Sequence, residues 1–371
     1  MGSPYTNIIR LLCAALATAI TVASLNFVVD PLRLFGHSEP GRPWYSDDSR
    51  LQDAGLIRSQ DFDTILMGTS LAIHFRQSDI DRQFGVHSLK LAISGSNSVE
   101  QNFVLRAALR RRPRRVIWEM DDWIFRDAPD ADSDAYLPAN LYRMNAKGIA
   151  GYLFSLDMAR ESVWIVLRGL KPLQTVAHGL AAAQYLKFHQ DDVDRINTLP
   201  DQLDLAATYN AAMARASFEH YLKHPKEIGA GYDYAAMVRN FDRDALDLIA
   251  KHPDVRFDVY FPPYSILHFV AMRDASPATL QIVYDLTAYA GRRLTQLPNV
   301  RLYDFRDAQE VTHDQNNYFD VVHHSPTIDR KVLSWITEGS HAVDRNAPTA
   351  STERLRAQVA AYRVDAGGRE P

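Results

Sequence analysis

Cysteine is almost missing from this chain: the 371 residues hold one, Cys13. Without a second thiol, neither an intramolecular disulfide nor a cysteine-based metal site can be built. A strong excess of charge is missing too. Lys and Arg total 41 against 45 Asp and Glu, for a formal net charge of −4 and a pI near 6.3. That balance argues against nucleic-acid binding driven by bulk charge, so no nucleic-acid partner is expected. No phosphate-binding glycine loop, dinucleotide fingerprint, internal repeat or low-complexity segment occurs, and no cofactor is expected. Apolar residues, by contrast, make up 46% of the chain. This is enough to offset ordering entropy and to exclude disorder as a whole-chain description.

One uncharged apolar run stands out. Leu11 to Val29 contains 19 residues without a charge, close to the ~20 that cross a bilayer core. Thr18, Thr21, Ser24 and Asn26 interrupt its hydrophobicity. Arg10 precedes the run and Asp30 follows it, so the positive-inside rule puts the N-terminus in the cytoplasm and the rest outside. A single-pass membrane anchor over 1–30 is expected. The alternatives are a cleaved signal peptide, with Thr21-Val22-Ala23 as cleavage site, and the core helix of a cytosolic α/β protein.

Residues 31–59 are rich in Pro, Gly, Ser and Asp and read as an irregular stalk. Strand-like runs then appear at Asp63–Met67, Val86–Ile93 and Arg115–Met120, with a helical pattern over 99–111. The rhythm breaks over about 135–250, where helix formers dominate and a helical insertion is expected. Strand patterns return at Val255–Phe261, stopped by Pro262-Pro263, and at Val300–Tyr303. Alternating strands and helices predict an α/β domain over 60–340 with a mainly parallel sheet. A polar tail is expected over 341–371.

Three segments carry chemistry. The first strand runs into Gly68-Thr69-Ser70. A serine there lifts its hydroxyl above the sheet, where a nucleophile belongs, or serves as a helix N-cap. The second strand leads to Ser94-Gly95-Ser96-Asn97. The Gly95 amide and Asn97 side chain suit a developing oxyanion, and they equally suit an ordinary β–α turn. Downstream, Asp320 and His323 are separated by two residues. A carboxylate at that spacing can hold one imidazole nitrogen and leave the other as general base, or the pair can serve capping and packing. Ser325-Pro326 predicts a helix start with Ser325 as N-cap. His220 and His224 have helical i, i+4 spacing, but no third ligand stands out near them, and no metal site is expected.

The order and spacing of Ser70, Gly95 and Asp320-x-x-His323 resemble the SGNH/GDSL-like hydrolase superfamily. More narrowly, the chain looks like a membrane-anchored bacterial envelope branch of it. Phe27-Val-Val-Asp30-Pro31, Ile65–Ser70, Leu91–Gly95, Phe261-Pro-Pro-Tyr264-Ser265 and Asn317-Tyr-Phe-Asp320 carry that likeness over roughly residues 20–340. The resemblance implies a three-layer α/β/α fold, with Ser70 as nucleophile, Asp320 orienting and His323 as base. It implies an inner-membrane protein with a periplasmic serine esterase or O-acyltransferase domain, acting on acylated envelope polysaccharide and working beside envelope biosynthesis proteins. The family's third block offers an oxyanion asparagine, whereas here the third strand ends Trp118-Glu-Met-Asp-Asp122. That departure supports the alternative of a catalytically inactive binding or scaffold component. An aromatic residue is common in this branch at the position of His324.

Overall fold

The computed structural model describes residues 4–36, 46, 48–126, 138–169 and 204–364. Parts of the expected insertion (135–137 and 170–203), stalk (37–45 and 47) and tail (365–371) lie outside the described residues. The chain divides into two compact units, Met1–Asp61 with Ser133–Asn197, and Phe62–Asp132 with Thr198–Pro371. The helical segment expected as one insertion is therefore divided between them.

The second unit is built on five parallel strands: β1 (Thr64–Gly68), β2 (Ser88–Ala92), β3 (Arg115–Glu119), β4 (Arg256–Phe261) and β5 (Val300–Asp304). All five coincide with the strand-like runs in the sequence to within about two residues at each end. Their spatial order is β2-β1-β3-β4-β5. The chain grows from β1 to β2 on one side, then returns to place β3 on the other. Where the order reverses, the carboxyl ends of parallel strands open a crevice, and ligands of such sheets bind there. β1 and β2 are buried along their whole length, as parallel strands with neither face in water should be.

The helix after Ser325-Pro326 spans Pro326–Glu338 and stops at Gly339, which has φ +77°. Ile328, Val332, Leu333 and Ile336 of that helix share a core with Leu66, Ile117, Tyr260 and Tyr303. Each such apolar side chain contributes about 1.5–3 kcal/mol on burial. Ser325 stands at the predicted N-cap position, but its side chain makes no cap hydrogen bond. The polar tail is corrected in part: Ala350–Ala361 form a helix that buries Leu355 and Val359 in the core of the second unit.

In the first unit, α1 (Pro4–Val29) is exposed over most of its length, and its most apolar 18-residue stretch has a mean hydropathy of 2.1. It is long and apolar enough to cross a membrane. The stalk expectation is corrected here, since α2 (Ser49–Ser59) buries Ala54, Leu56 and Ile57. The backbone of Leu32 passes so close to Gly55 that a Cβ there would lie 1.5 Å from the Leu32 carbonyl oxygen.

The polar residues near the end of α1 explain themselves in this unit. Asn26 is fully buried, and its Nδ2 donates to the carbonyls of Leu153 and Ser155, each at 2.9 Å. Those carbonyls lie at the end of α6 (Ala146–Leu153), where the last C=O groups of a helix need partners. Asn26 Oδ1 accepts from Ser162 Oγ of α7 (Leu156–Gly169) at 3.0 Å. Just beyond α1, Asp30 adopts φ +48° and accepts from Leu34 N, Phe35 N and the Tyr152 hydroxyl, each at 2.9 Å. Burial, followed by the Asp30 charge, pushes the Tyr152 hydroxyl pKa up.

Replacing Asn26 by Leu strips these carbonyls and Ser162 of their partner. Unsatisfied buried groups of this kind cost about 1–3 kcal/mol each. Hydrogen exchange of the full chain in detergent should therefore accelerate at least tenfold over 146–162. Unchanged protection there would remove Asn26 from this role.

Candidate active site

β1 delivers the first side chain. A Cβ on Gly68 would lie 2.6 Å from Glu119 Oε2 and 2.6 Å from Ala72 Cβ, so glycine is required there by space. Thr69 follows, with its N–H donating to Glu119 Oε2 at 3.1 Å and its hydroxyl to Asp121 Oδ2 at 2.7 Å. Both groups of Thr69 are thus fastened to the end of β3. Ser70 then opens a short 3-10 turn, Ser70–Ala72, in which it alone is not buried.

That hydroxyl meets a residue 253 positions later: Ser70 Oγ lies 2.8 Å from His323 Nε2. His323 Nδ1 lies 2.7 Å from Asp320 Oδ2. The other oxygen, Asp320 Oδ1, accepts from the backbone N–H groups of Val322 and His323 at 2.7 Å each. An acceptor at Nδ1 fixes the imidazole tautomer with its proton there and leaves the Nε2 lone pair for the serine. Burial alone would lower the His323 pKa, but the hydrogen bond and charge of Asp320 outweigh it and raise the value. For Asp320, burial pushes upward and the bonds from His323 win, holding its carboxyl below the usual range. Ser70, Asp320 and His323 therefore form the connected chain of hydroxyl, imidazole and carboxylate that their spacing suggested. The His323 side chain is 36% exposed and Asp320 27%, so the array is open to solvent.

The loop carrying Asp320 and His323 is closed on itself by Phe319 N to His323 O at 2.9 Å and Ser325 N to Asn317 O at 2.8 Å. It rests on the block after β4, where the Tyr318 hydroxyl donates to Pro263 O at 2.6 Å. His324 is buried behind the array, with Nδ1 3.2 Å from Asp329 Oδ1 on the following helix. The position thus carries a buried polar pair.

β2 delivers the third part. Gly68 pairs with Ala92, and Ile93 N donates to Gly68 O at 3.0 Å, so the turns after β1 and β2 leave the same end of the sheet. Gly95 is exposed at φ +65°, and a Cβ on it would meet nothing within 4 Å. Its glycine is required by backbone conformation rather than by space. Asn97 is the N-cap of α4 (Ser98–Leu109): its Oδ1 accepts from Glu100 N at 3.0 Å, while Glu100 Oε2 accepts from Asn97 N at 3.1 Å. This capping box uses the acceptor end of the Asn97 amide and leaves its donor nitrogen outside the cap.

The acidic end of β3 is handled by hydroxyls. Asp121 is 1% exposed. One of its oxygens accepts from Thr69 and the other from the Tyr264 hydroxyl. Asp122 accepts from the Tyr232 hydroxyl at 2.9 Å. Burial, then the charge of Asp121, raises Asp122 to about 6. The same causes, in the same order, push Glu119 well above the usual carboxylate range. Sequence reasoning found none of Thr69, Glu119, Tyr232 or Tyr264 as supports. Tyr264 lies in the Phe261–Ser265 segment after β4, but its partner is 143 positions away.

Neither a family model nor a curated protein matches the chain.

Glu119 favours its protonated form in the folded state. Its contribution to stability is fully present below the ordinary glutamate value of 4.5 and is lost as pH rises through the raised folded value. Glu119→Gln carries no such titration. As pH rises above 4.5, the Tm of the variant should fall less steeply than that of the parent. Parallel Tm profiles in the two proteins would contradict this assignment.

Proposed function

We propose that the chain is a membrane-anchored, extracytoplasmic serine acyl esterase or O-acyltransferase of the SGNH/GDSL-like type. The observation that carries this reading is the array at the strand ends: Ser70 Oγ 2.8 Å from His323 Nε2, and His323 Nδ1 2.7 Å from Asp320. The strand order and the position of Ser70 after β1 support a three-layer α/β/α fold of that type.

In the proposed reaction, Ser70 Oγ attacks the ester carbonyl carbon as His323 Nε2 takes its proton. Asp320 stabilises the imidazolium that forms and does not itself become protonated. The backbone N–H groups of Ser70 and Gly95, with the Asn97 amide nitrogen, supply the donors for the oxyanion. Collapse breaks the bond to the alcohol, which leaves with the proton from His323. Water or a sugar hydroxyl then gives a proton to His323 and attacks the acyl-serine; collapse breaks the acyl–Oγ bond, Ser70 takes the proton back from His323, and acid or a new ester is released.

The exposed array suits an ester carried on a polymer, and the near-neutral charge suits one recognised through hydroxyl and acyl groups. An acylated envelope polysaccharide is the substrate class that fits both, with envelope biosynthesis proteins as partners. The anchor α1, with Arg10 before and Asp30 after its apolar run, supports a single pass through the inner membrane with the array in the periplasm. A second reading, an inactive binding or scaffold component, is favoured by one observation: Asp121 and Asp122 stand after β3 where an amide donor would complete the oxyanion site.

A fluorophosphonate probe should label the purified chain on Ser70, and Ser70→Ala and His323→Ala should each abolish labelling. Turnover of an activated acetyl ester should fall by at least about 10⁴-fold in Ser70→Ala. A folded parent that neither labels nor turns over such esters is the result expected of a scaffold.

The pH profile gives a further check. His323 acts as base only when neutral, so kcat/KM should drop as pH falls through a value above the ordinary 6.5. Asp320→Asn removes the groups that raise it. Its acid limb should move to lower pH while kcat falls about 10⁴-fold. A limb that stays in place would detach Asp320 from His323.

A further inference from the structure

The structure supplies the third ligand that the His220–His224 pair lacked. Both histidines belong to the helix Ala211–Lys223 and its end, and Pro225 then starts the short helix Pro225–Gly229. This corner brings Glu227 back onto the pair. Glu227 Oε2 lies 2.7 Å from His220 Nε2, and the two imidazoles stack with centroids 4.3 Å apart. One ligand atom from each of His220, His224 and Glu227 lies within 4.8 Å of the others. We propose that these three side chains form a divalent-cation site of the zinc type.

The corner is prepared for this. The Glu227 N–H donates to His224 O at 2.9 Å, which fixes the turn that presents the carboxylate. His224 Nδ1 lies 2.9 Å from the His220 carbonyl oxygen. A proton on that nitrogen leaves the lone pair on Nε2, and metal-bound histidines are commonly held by such a bond from the other nitrogen.

Two imidazoles and one carboxylate suit zinc, whereas calcium and magnesium favour all-oxygen sets. Tetrahedral zinc with bonds of ~2.0–2.1 Å sets donors about 3.3 Å apart. Rotation of these exposed side chains covers the remaining distance. A bound ion would replace the hydrogen bond between His220 and Glu227, any proton there passing to solvent, with water as the fourth ligand.

The site has a structural consequence for the array. The helix that carries it starts where Asn210 N donates to Tyr318 O at 3.1 Å and Ala211 N to Asn316 Oδ1 at 3.2 Å. Its Phe218 shares a core with Tyr318 and Val321. The cation therefore locks the far end of a helix whose near end is stitched to the loop of Asp320 and His323.

The test uses the full chain in detergent, purified without a histidine tag and stripped with chelator. Titration with zinc chloride should give one ion per chain, micromolar or tighter, and raise Tm by several degrees. His220→Ala and Glu227→Gln should each weaken binding at least tenfold, and His220→Ala/His224→Ala should abolish it with unchanged circular dichroism. Cobalt should give the intense visible bands of a tetrahedral site in the parent only. Ser70→Ala should bind zinc like the parent, which keeps this result separate from the esterase reading. A parent that binds zinc no more tightly than the double variant overturns the proposal.

Discussion

A single buried carboxylate joins the ends of three strands. Asp121 stands just beyond β3, receives the Thr69 hydroxyl from the end of β1, and receives the Tyr264 hydroxyl from the block after β4. A carboxyl group in such a place is costly to bury unless its oxygens are bonded. The two hydroxyls meet that demand, and in doing so they fix the residue before Ser70. The position of the serine thus follows from the bonding of a buried acid to which it is not itself joined. The same arrangement keeps both Asp121 oxygens on protein hydroxyls.

The parts of this fold that rest on local patterns were legible in the sequence. The strands could be read because buried parallel strands are short apolar runs bounded by turn residues. Ser70, Asp320 and His323 could be singled out because each lies beside a punctuating residue or at a helical interval. Their contact could not be read, since 253 residues separate Ser70 from His323. The reason for Gly68 is not legible locally either. Its local sequence suggests a sharp turn, whereas the structure needs room for Glu119, a residue 51 positions away.

Other failures share one physical origin. α2 carries Arg50, Gln52, Asp53 and Arg58, so it lacks a clean apolar face and resembles linker composition. It is ordered by tertiary partners: Gln52 Nε2 donates to Leu32 O at 3.2 Å and Arg58 Nε to Leu34 O at 2.9 Å. Asn26 shows the reverse case. In the apolar run it looked like a blemish on a membrane helix, yet it satisfies the end of another helix. Polar residues with distant partners carry no local signature, and pattern reading assigns them to solvent by default.

The buried Asn26 also limits what α1 can be. A helix of 26 residues is about 39 Å long, and a bilayer core is ~30 Å thick. The surplus of about six residues lies before the uncharged run, at Pro4–Arg10, so Asn26 falls within the length that a bilayer core would need. Yet Asn26 is bonded to Leu153, Ser155 and Ser162 of the first unit. A membrane around α1 would therefore meet that unit directly, with no slack chain between them, and the helix would act as a strut rather than a rope.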